Sequence, residues 1–123
     1  MNQEHQQQES TLLEENLKKA TTELLILQLF SRQEHFIGEI SALLREQSGG
    51  ALNIAFPYAA IYRLLDAGHI AELPRRVAPD GRRRQYFSIT PKGRVFLEQL
   101  RSCYKAFTGG VDRILQEEVH SDE

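Results

Sequence analysis

The sequence predicts a mainly α-helical fold with a small antiparallel β-hairpin. Three stripes of apolar residues at helical spacing occupy the first half of the chain, and a two-residue period replaces them between residues 69 and 89. A last helical stripe follows, with alternating spacings of three and four residues, as in the seam of a coiled coil. At 123 residues, the chain is expected to form one domain with its own core.

The first predicted helix begins at Thr11, whose hydroxyl can accept a hydrogen bond from the N–H of Glu14 while the Glu14 side chain reaches back. Residues 1–9 are polar and acidic, and we expect a disordered tail without the basic start and apolar stretch of a secretory signal. From Leu24 to Phe30 nearly every position is apolar, which is typical of a helix buried on most sides. Two threonines near the middle are weaker helix formers, so residues 11–31 form either one helix or two.

Two shorter helices are predicted next. The second spans Ile37 to Gln47 after a polar connection from Ser31 to His35, and Gly49-Gly50 supply the left-handed residue that ends it. The third starts near Asn53, a favourable N-cap, and ends at Gly68. Its predicted apolar face comprises Tyr58, Ile61, Leu64 and Leu65.

A β-hairpin is predicted after the third helix. His69 to Val77 and Arg83 to Ile89 have the pattern of strands, and residues 78–81 form a turn in which Pro79 presets one dihedral angle and Gly81 takes a positive φ. Alternation along the second strand places Phe87 and Ile89 on one face, with Arg84, Tyr86 and Ser88 on the other.

The last predicted helix opens at Thr90-Pro91, with threonine as the N-cap and proline at the first helical position. Gly109-Gly110 interrupt it, which predicts a kink there or a close crossing with another helix. We call its apolar stripe the seam; it comprises Leu97, Leu100, Tyr104, Phe107, Val111 and Ile114.

The seam predicts a homodimer, because the first helix alone is too small to cover it. The N-terminal stripe is the expected partner, from the same chain or from the second protomer. The alternative is a monomer that buries both stripes in one core. The predicted dimer-interface residues are Leu13, Leu17, Leu100, Tyr104, Phe107, Val111 and Ile114.

Basic charge is concentrated in one short segment of a chain whose net charge is −2. Seven basic residues and one acidic residue lie between Arg75 and Arg94, giving +6 there and leaving −8 for the rest of the chain. Such a local basic footprint on an acidic protein is typical of a surface that binds an anionic partner, and equally of a solvated basic hairpin. The neighbouring elements decide between the two.

The order of elements is that of a winged helix-turn-helix. The third helix is then the recognition helix for the major groove, and the hairpin is the wing, with its basic tip near phosphates or the minor groove. The predicted organisation is a winged-helix DNA-binding domain over residues 10–90, a C-terminal dimerisation helix over 91–119 and a tail over 120–123.

Two stretches of the sequence resemble the PadR family of bacterial transcriptional regulators. Tyr58 to Ile70 is similar to the family's recognition helix, with its Arg-Leu pair and closing Gly-x-Ile. Arg83 to Arg94 resembles the basic, aromatic second wing strand and the Thr-x-x-Gly helix start. Two stretches depart from the family pattern: Ile37-Gly38-Glu39-Ile40 lacks the usual Tyr at the start of the second helix, and Ala55-Phe56-Pro57 replaces the usual Gly-Thr-Leu. The second departure opens the recognition helix and therefore concerns the base preference and not the fold.

The resemblance implies a short-tailed, dimeric repressor that binds a near-palindromic operator in double-stranded DNA. It also implies release by an effector, often a small aromatic molecule near the dimer interface. Because the sequence has no Trp, the effector is expected to stack on Tyr104, Phe107 or Phe56. Two of the predicted DNA contacts have alternatives that stay open. Asn53 could serve only as an N-cap, and the Tyr58 ring could pack in the core with its hydroxyl exposed. The predicted DNA-binding residues are Asn53, Phe56, Tyr58, Tyr62, Arg63, Arg76, Arg82, Arg83, Arg84 and Lys92.

The sequence offers no support for an enzyme. It contains no nucleophile motif and no Gly-rich phosphate loop, and its four histidines and one cysteine have no metal-ligand spacing, so neither cofactor nor metal is expected. The single cysteine and the lack of a long apolar run favour a cytoplasmic protein. The resemblance to the PadR family implies a bacterial protein that is associated with the nucleoid when bound to DNA. The competing interpretation is a winged-helix module that binds protein and not DNA.

Overall fold

The computed structural model describes residues 21–55 and 57–120. The helices are α1, described over residues 21–32, α2 (Ile37–Gln47), α3 (Tyr58–Asp66) and α4 (Pro91–His120). The strands are β1 (His35–Phe36), β2 (Ile70–Glu72), β3 (Arg76–Val77), β4 (Arg83–Arg84) and β5 (Tyr86–Ile89). The predicted class, mainly α-helical with a small antiparallel sheet, is confirmed.

The core lies where the first three helices meet the sheet and the start of α4. Leu24 to Phe30 is enclosed as predicted, with Ile26 and Leu27 fully buried. The end of α4 nearest the core contributes Leu97, and Leu100 packs against the same cluster. The buried cluster comprises Ile26, Leu27, Leu29, Phe30, Ile40, Leu44, Ile54, Ala60, Ile61, Leu64, Ile70, Phe87 and Leu97.

The connection between α1 and α2 is shorter than predicted. Only Gln33 and Glu34 are irregular, because α1 continues to residue 32 and His35–Phe36 forms β1, which pairs with β5. The imidazole of His35 is buried, with Nε2 placed 3.2 Å from the Leu29 carbonyl oxygen and Nδ1 placed 3.2 Å from the Glu39 carboxylate. A polar residue is therefore part of the core here, because both of its ring nitrogens have partners.

The predicted start of α3 near Asn53 is wrong. The helix begins at Tyr58, with Pro57 at the N-cap, and the Pro57 carbonyl accepts the first helical hydrogen bond from Ile61. Residues 51–54 have no regular structure, and Ile54 is buried in the core. Asn53 is exposed in this connection and does not cap the helix.

The wing, residues 70–89, is a hairpin whose pairing changes register once. Ile70 lies opposite Ile89 in the inner part, whereas Arg76 lies opposite Arg84 in the outer part. Residues 73–75 on the outgoing side therefore face only 85 and 86 on the returning side, an extra residue of the kind found in β-bulges. β5 is the central strand of the inner sheet, in the order β1-β5-β2. Because β1 also pairs with β5, Tyr86 is buried although it alternates with the buried Phe87.

Thr90 ties the base of the wing to both helices that flank it. Its Oγ1 donates a hydrogen bond of 2.6 Å to the Gly68 carbonyl and accepts one of 3.0 Å from the backbone N–H of Gly93. The predicted N-cap at Thr90, with Pro91 opening the helix, is confirmed.

Substitution Thr90→Val is expected to destabilise the fold by about 1–2 kcal/mol, because an isosteric methyl group can neither cap α4 nor bond to Gly68. Urea unfolding followed by circular dichroism measures the change. The control is Thr108→Val, since among the described residues the Thr108 hydroxyl bonds only to the Tyr104 carbonyl, within α4 itself. Equal midpoints for the two variants would contradict the capping role.

α4 remains helical through Gly109-Gly110. An added Cβ at either glycine would meet no atom within 4 Å, so the predicted close crossing is not made with any described residue of the same chain. Among the described residues, no helix combines the length and the apolar character needed to cross a membrane.

Candidate nucleic-acid interface

One cleft brings α3 and the wing together. Tyr62 of α3 and Arg84 of the wing line the same cavity of about 350 Å³, together with Phe36 from β1. Arg75 and Gln85, at the bulge of the wing, and Glu72 of β2 add polar groups to its lining. Two of the predicted DNA-binding residues, Tyr62 and Arg84, therefore line one cleft, whereas Arg76 lines a separate one with Glu34.

The tip of the wing presents two exposed arginines, Arg82 and Arg83. The turn has the predicted geometry, with Gly81 at φ +83° and the Asp80 carboxylate accepting the backbone N–H of Arg82 at 3.0 Å. Arg82 and Arg83 are exposed, and neither guanidinium forms an ion pair within the part of the chain that is described. Guanidinium groups held in this way are available to phosphate oxygens.

Arg84 is held at the base of the same turn. Its Nη2 lies 2.7 Å from the Asp80 carboxylate, and its guanidinium carbon lies 4.9 Å from the centre of the Phe36 ring. The hydrogen bond from Arg84, followed by that from the Arg82 backbone, lowers the pKa of the Asp80 carboxyl. Asp80 is therefore ionised at neutral pH and keeps this pair intact. The Nε of Arg84 is buried without a hydrogen-bond partner in the described structure.

Arg76 turns away from the wing tip toward the connection between α1 and α2. Its Nη1 lies 2.6 Å from the Glu34 carboxylate, and its guanidinium carbon lies 3.6 Å from the centre of the Tyr86 ring. The hydrogen bond to Glu34 is the main reason that the pKa of the Arg76 guanidinium is raised. This residue braces the wing against the body of the domain.

α3 presents two tyrosines and an arginine to solvent. The exposed fractions of Tyr58 and Tyr62 are 45% and 54%, so Tyr58 does not belong to the core face on which the sequence placed it. Its ring lies outside the core because Ala60 and Ile61 take the buried positions of the first turn. Arg63 donates from Nε to the Glu23 carboxylate of α1 at 2.7 Å.

Lys92 stabilises the fold through a contact with the C-terminal end of α3. Its ammonium donates a hydrogen bond of 2.7 Å to the carbonyl of Ala67, the C-cap of α3, where a cation is favourable. Burial, and secondarily the charge of Lys92, lower the pKa of His69, whose neutral ring stacks on Phe96 with 4.1 Å between ring centres. The predicted site residue Phe56 lies outside the described residues.

Sequence reasoning missed the carboxylates that pair with the arginines. Glu23 and Glu34 lie 40 and 42 residues from their partners, and no local pattern connects such positions. Arg75 belongs to the basic segment but is not among the predicted site residues. It lines the cleft because it lies at the bulge of the wing. Gln85 is held at that bulge by hydrogen bonds to the carbonyls of Leu73 and Tyr86.

The domain is a winged helix, and its fold is that of known bacterial regulators. A PadR-like transcriptional regulator from Bacillus cereus is similar to it, with a TM-score of 0.71 and 24% identity over 82% of this chain and 97% of that one. A transcriptional regulator from Clostridium thermocellum has a TM-score of 0.70 and 22% identity over 80% of this chain and 96% of the other. A PadR family transcription regulator from Clostridium difficile has a TM-score of 0.66 and 21% identity, over 77% and 98% respectively.

The resemblance to the PadR family is thereby confirmed at the level of the fold. No protein-family model matches the chain, and no curated protein gives a significant match. Identities below 25% leave the function to be argued from the site itself.

Proposed function

We propose that this protein is a sequence-specific DNA-binding transcriptional regulator of the PadR type. The observation that carries the proposal is the pair of exposed arginines at the tip of the wing, Arg82 and Arg83, whose guanidinium groups form no ion pair with any described residue. The major groove of B-DNA admits one α-helix, so α3 would place Tyr62 and Arg63 near base edges. The wing arginines would then reach the flanking phosphates or the adjacent minor groove.

The proposed active form is a homodimer built on the outer part of α4. The exposed fractions of Phe107 and Ile114 are both 72%, and those of Tyr104 and Leu115 are 47% and 66%. Exposed large apolar side chains arranged along one helix favour a protein partner. Leu100 packs against its own core, whereas the predicted residues Leu13 and Leu17 lie outside the described part of the chain.

Sedimentation equilibrium tests the dimer. The wild-type protein is expected to sediment at twice the 14.1 kDa mass of the chain at micromolar concentration. The variant F107E/I114E is expected to sediment at that monomer mass and to keep its helical circular dichroism, because both side chains lie outside the core. A wild-type protein that sediments as a monomer would contradict the dimer.

Repression and release by an effector complete the proposal. A dimer that presents two recognition helices about 34 Å apart would occupy a near-palindromic operator and exclude polymerase. An aromatic effector stacked on Tyr104 or Phe107 would lie between the protomers and change that spacing. Repression of a reporter gene placed behind the selected operator, and its relief by the effector, are the corresponding readouts.

Selection from a random pool of duplexes tests sequence specificity. The recovered duplexes are expected to share two inverted half-sites whose centres lie about one turn apart, roughly 10–10.5 base pairs or a multiple of it. Footprinting on a recovered duplex should protect both half-sites. If the pool yields no common motif and no duplex is retained, the proposal fails and the winged helix is better explained as a protein-binding module.

A further inference from the structure

We propose that three carboxylates of this chain, Glu23, Glu34 and Asp80, compete with DNA phosphates for three interface arginines and thereby suppress non-specific binding. The inference rests on the proposed DNA-binding function and adds to it a group of residues that set specificity. Each carboxylate would be displaced only where the operator also supplies base contacts.

The three pairs share one geometry. Arg63, Arg76 and Arg84 each place a guanidinium nitrogen 2.6–2.7 Å from a carboxylate oxygen. Each arginine belongs to the predicted DNA-binding set, and each keeps between 33% and 61% of its side chain exposed. The pairs therefore occupy the hydrogen-bonding groups that a phosphate would use, at positions that a phosphate can reach.

Ion pairs of this strength can be displaced by DNA phosphates and do not block the arginines permanently. An exposed ion pair is worth about 0–1 kcal/mol, because solvent screens it, whereas a phosphate in duplex DNA offers a comparable partner together with counterion release. Three such exchanges lower the affinity for any duplex. The loss matters most for non-specific DNA, where phosphate contacts supply essentially all of the binding free energy. The ratio of specific to non-specific affinity rises as a result.

Glu34 offers the cleanest test of the three. It is exposed in the short connection before β1, and its hydrogen bond to Arg76 is the contact that defines its role. Arg76 also lies over the Tyr86 ring, so its guanidinium keeps its place when the carboxylate is neutralised. Asp80 is less suitable, since its other oxygen accepts the Arg82 N–H within the turn.

The experiment is a titration of a fluorescent random duplex with the full chain at several salt concentrations. Glu34→Gln is expected to bind about 3–10-fold more tightly than the wild type, and the slope of log K against log salt is expected to steepen by about 0.9 for each arginine released. The matched control is Glu72→Gln, which removes the same charge from an exposed residue that lines the cleft between α3 and the wing. Glu72 is exposed and has no ion pair among the described residues. The gain in duplex affinity of Glu72→Gln should be less than half that of Glu34→Gln.

The pairing itself is tested in the background of Arg76→Gln. Removing the Glu34 charge there should have no more effect than Glu72→Gln has, because no guanidinium remains to be released. A gain of the same size in both backgrounds would overturn the proposal while leaving DNA binding intact, as would equal gains in E34Q and E72Q. A random duplex that no variant binds would overturn the proposed function and this inference together. Circular dichroism confirms that each variant is folded.

Discussion

Reversing the charge of both wing-tip arginines, as R82E/R83E, is expected to weaken binding to a selected operator by about 100-fold or more at roughly 0.1 M salt. Arg82 and Arg83 are exposed and unpaired in the described structure, so their full charge is available to phosphates. Loss of two phosphate contacts per wing should also reduce the slope of log K against log salt by about 2 for each wing that is engaged. Fluorescence anisotropy over a range of salt concentrations measures both quantities.

The matched control carries the same change in net charge elsewhere. Lys105 and Arg113 are exposed on α4 and lie outside the seam, so K105E/R113E alters the overall charge without touching the wing. It is expected to weaken binding by less than about 5-fold, an effect of long-range electrostatics alone. If both double variants lose the same affinity, the wing has no special part in binding.

Substitution Gly93→Ala is expected to destabilise the fold by about 3 kcal/mol or more. A Cβ at this position would lie 2.0 Å from the backbone oxygen of His69 and 2.8 Å from Cγ1 of Ile89. The His69 oxygen is fixed, since it accepts the N–H of Thr90 at 3.0 Å. α4 and the base of the wing must therefore move apart, which also disrupts the N-cap at Thr90. Urea denaturation should show a much lower midpoint with a similar slope.

Gly109→Ala is the control for glycine replacement in the same helix. No atom of the described residues lies within 4 Å of the added methyl group there, so the variant should gain about 0.5–1 kcal/mol from helix propensity. A Gly93→Ala variant as stable as the wild type would mean that α4 does not pack on His69 as described. This contact also gives a physical reason for glycine in the Thr-x-x-Gly helix start.

Local chemistry was sufficient to predict much of the fold. α2 has the predicted bounds, Ile37–Gln47, and the turn at Gly81 has the positive φ that its sequence indicates. The cap at Thr90 is likewise determined by neighbours in sequence. The basic wing followed from charge counting, because its arginines are close together in the chain.

Features that depend on distant residues were not predictable. β1 consists of two residues whose pairing with β5 requires a partner about fifty positions away, so His35 was assigned to a polar loop. The start of α3 depends on the burial of Ile54, which propensity at Asn53 does not reveal. The ion pairs of Arg63 and Arg76 likewise join residues 40 and 42 positions apart, from α1 and the connection that follows it.

The salt dependence of duplex binding tests the central claim most directly. Anisotropy titrations of the wild-type chain between roughly 50 and 300 mM KCl should give a log K that falls linearly with log salt, with a slope of about −4 or steeper for a dimer that engages both wings. Binding that does not change with salt, or no binding at the lowest salt, would contradict the assignment of this winged helix to DNA.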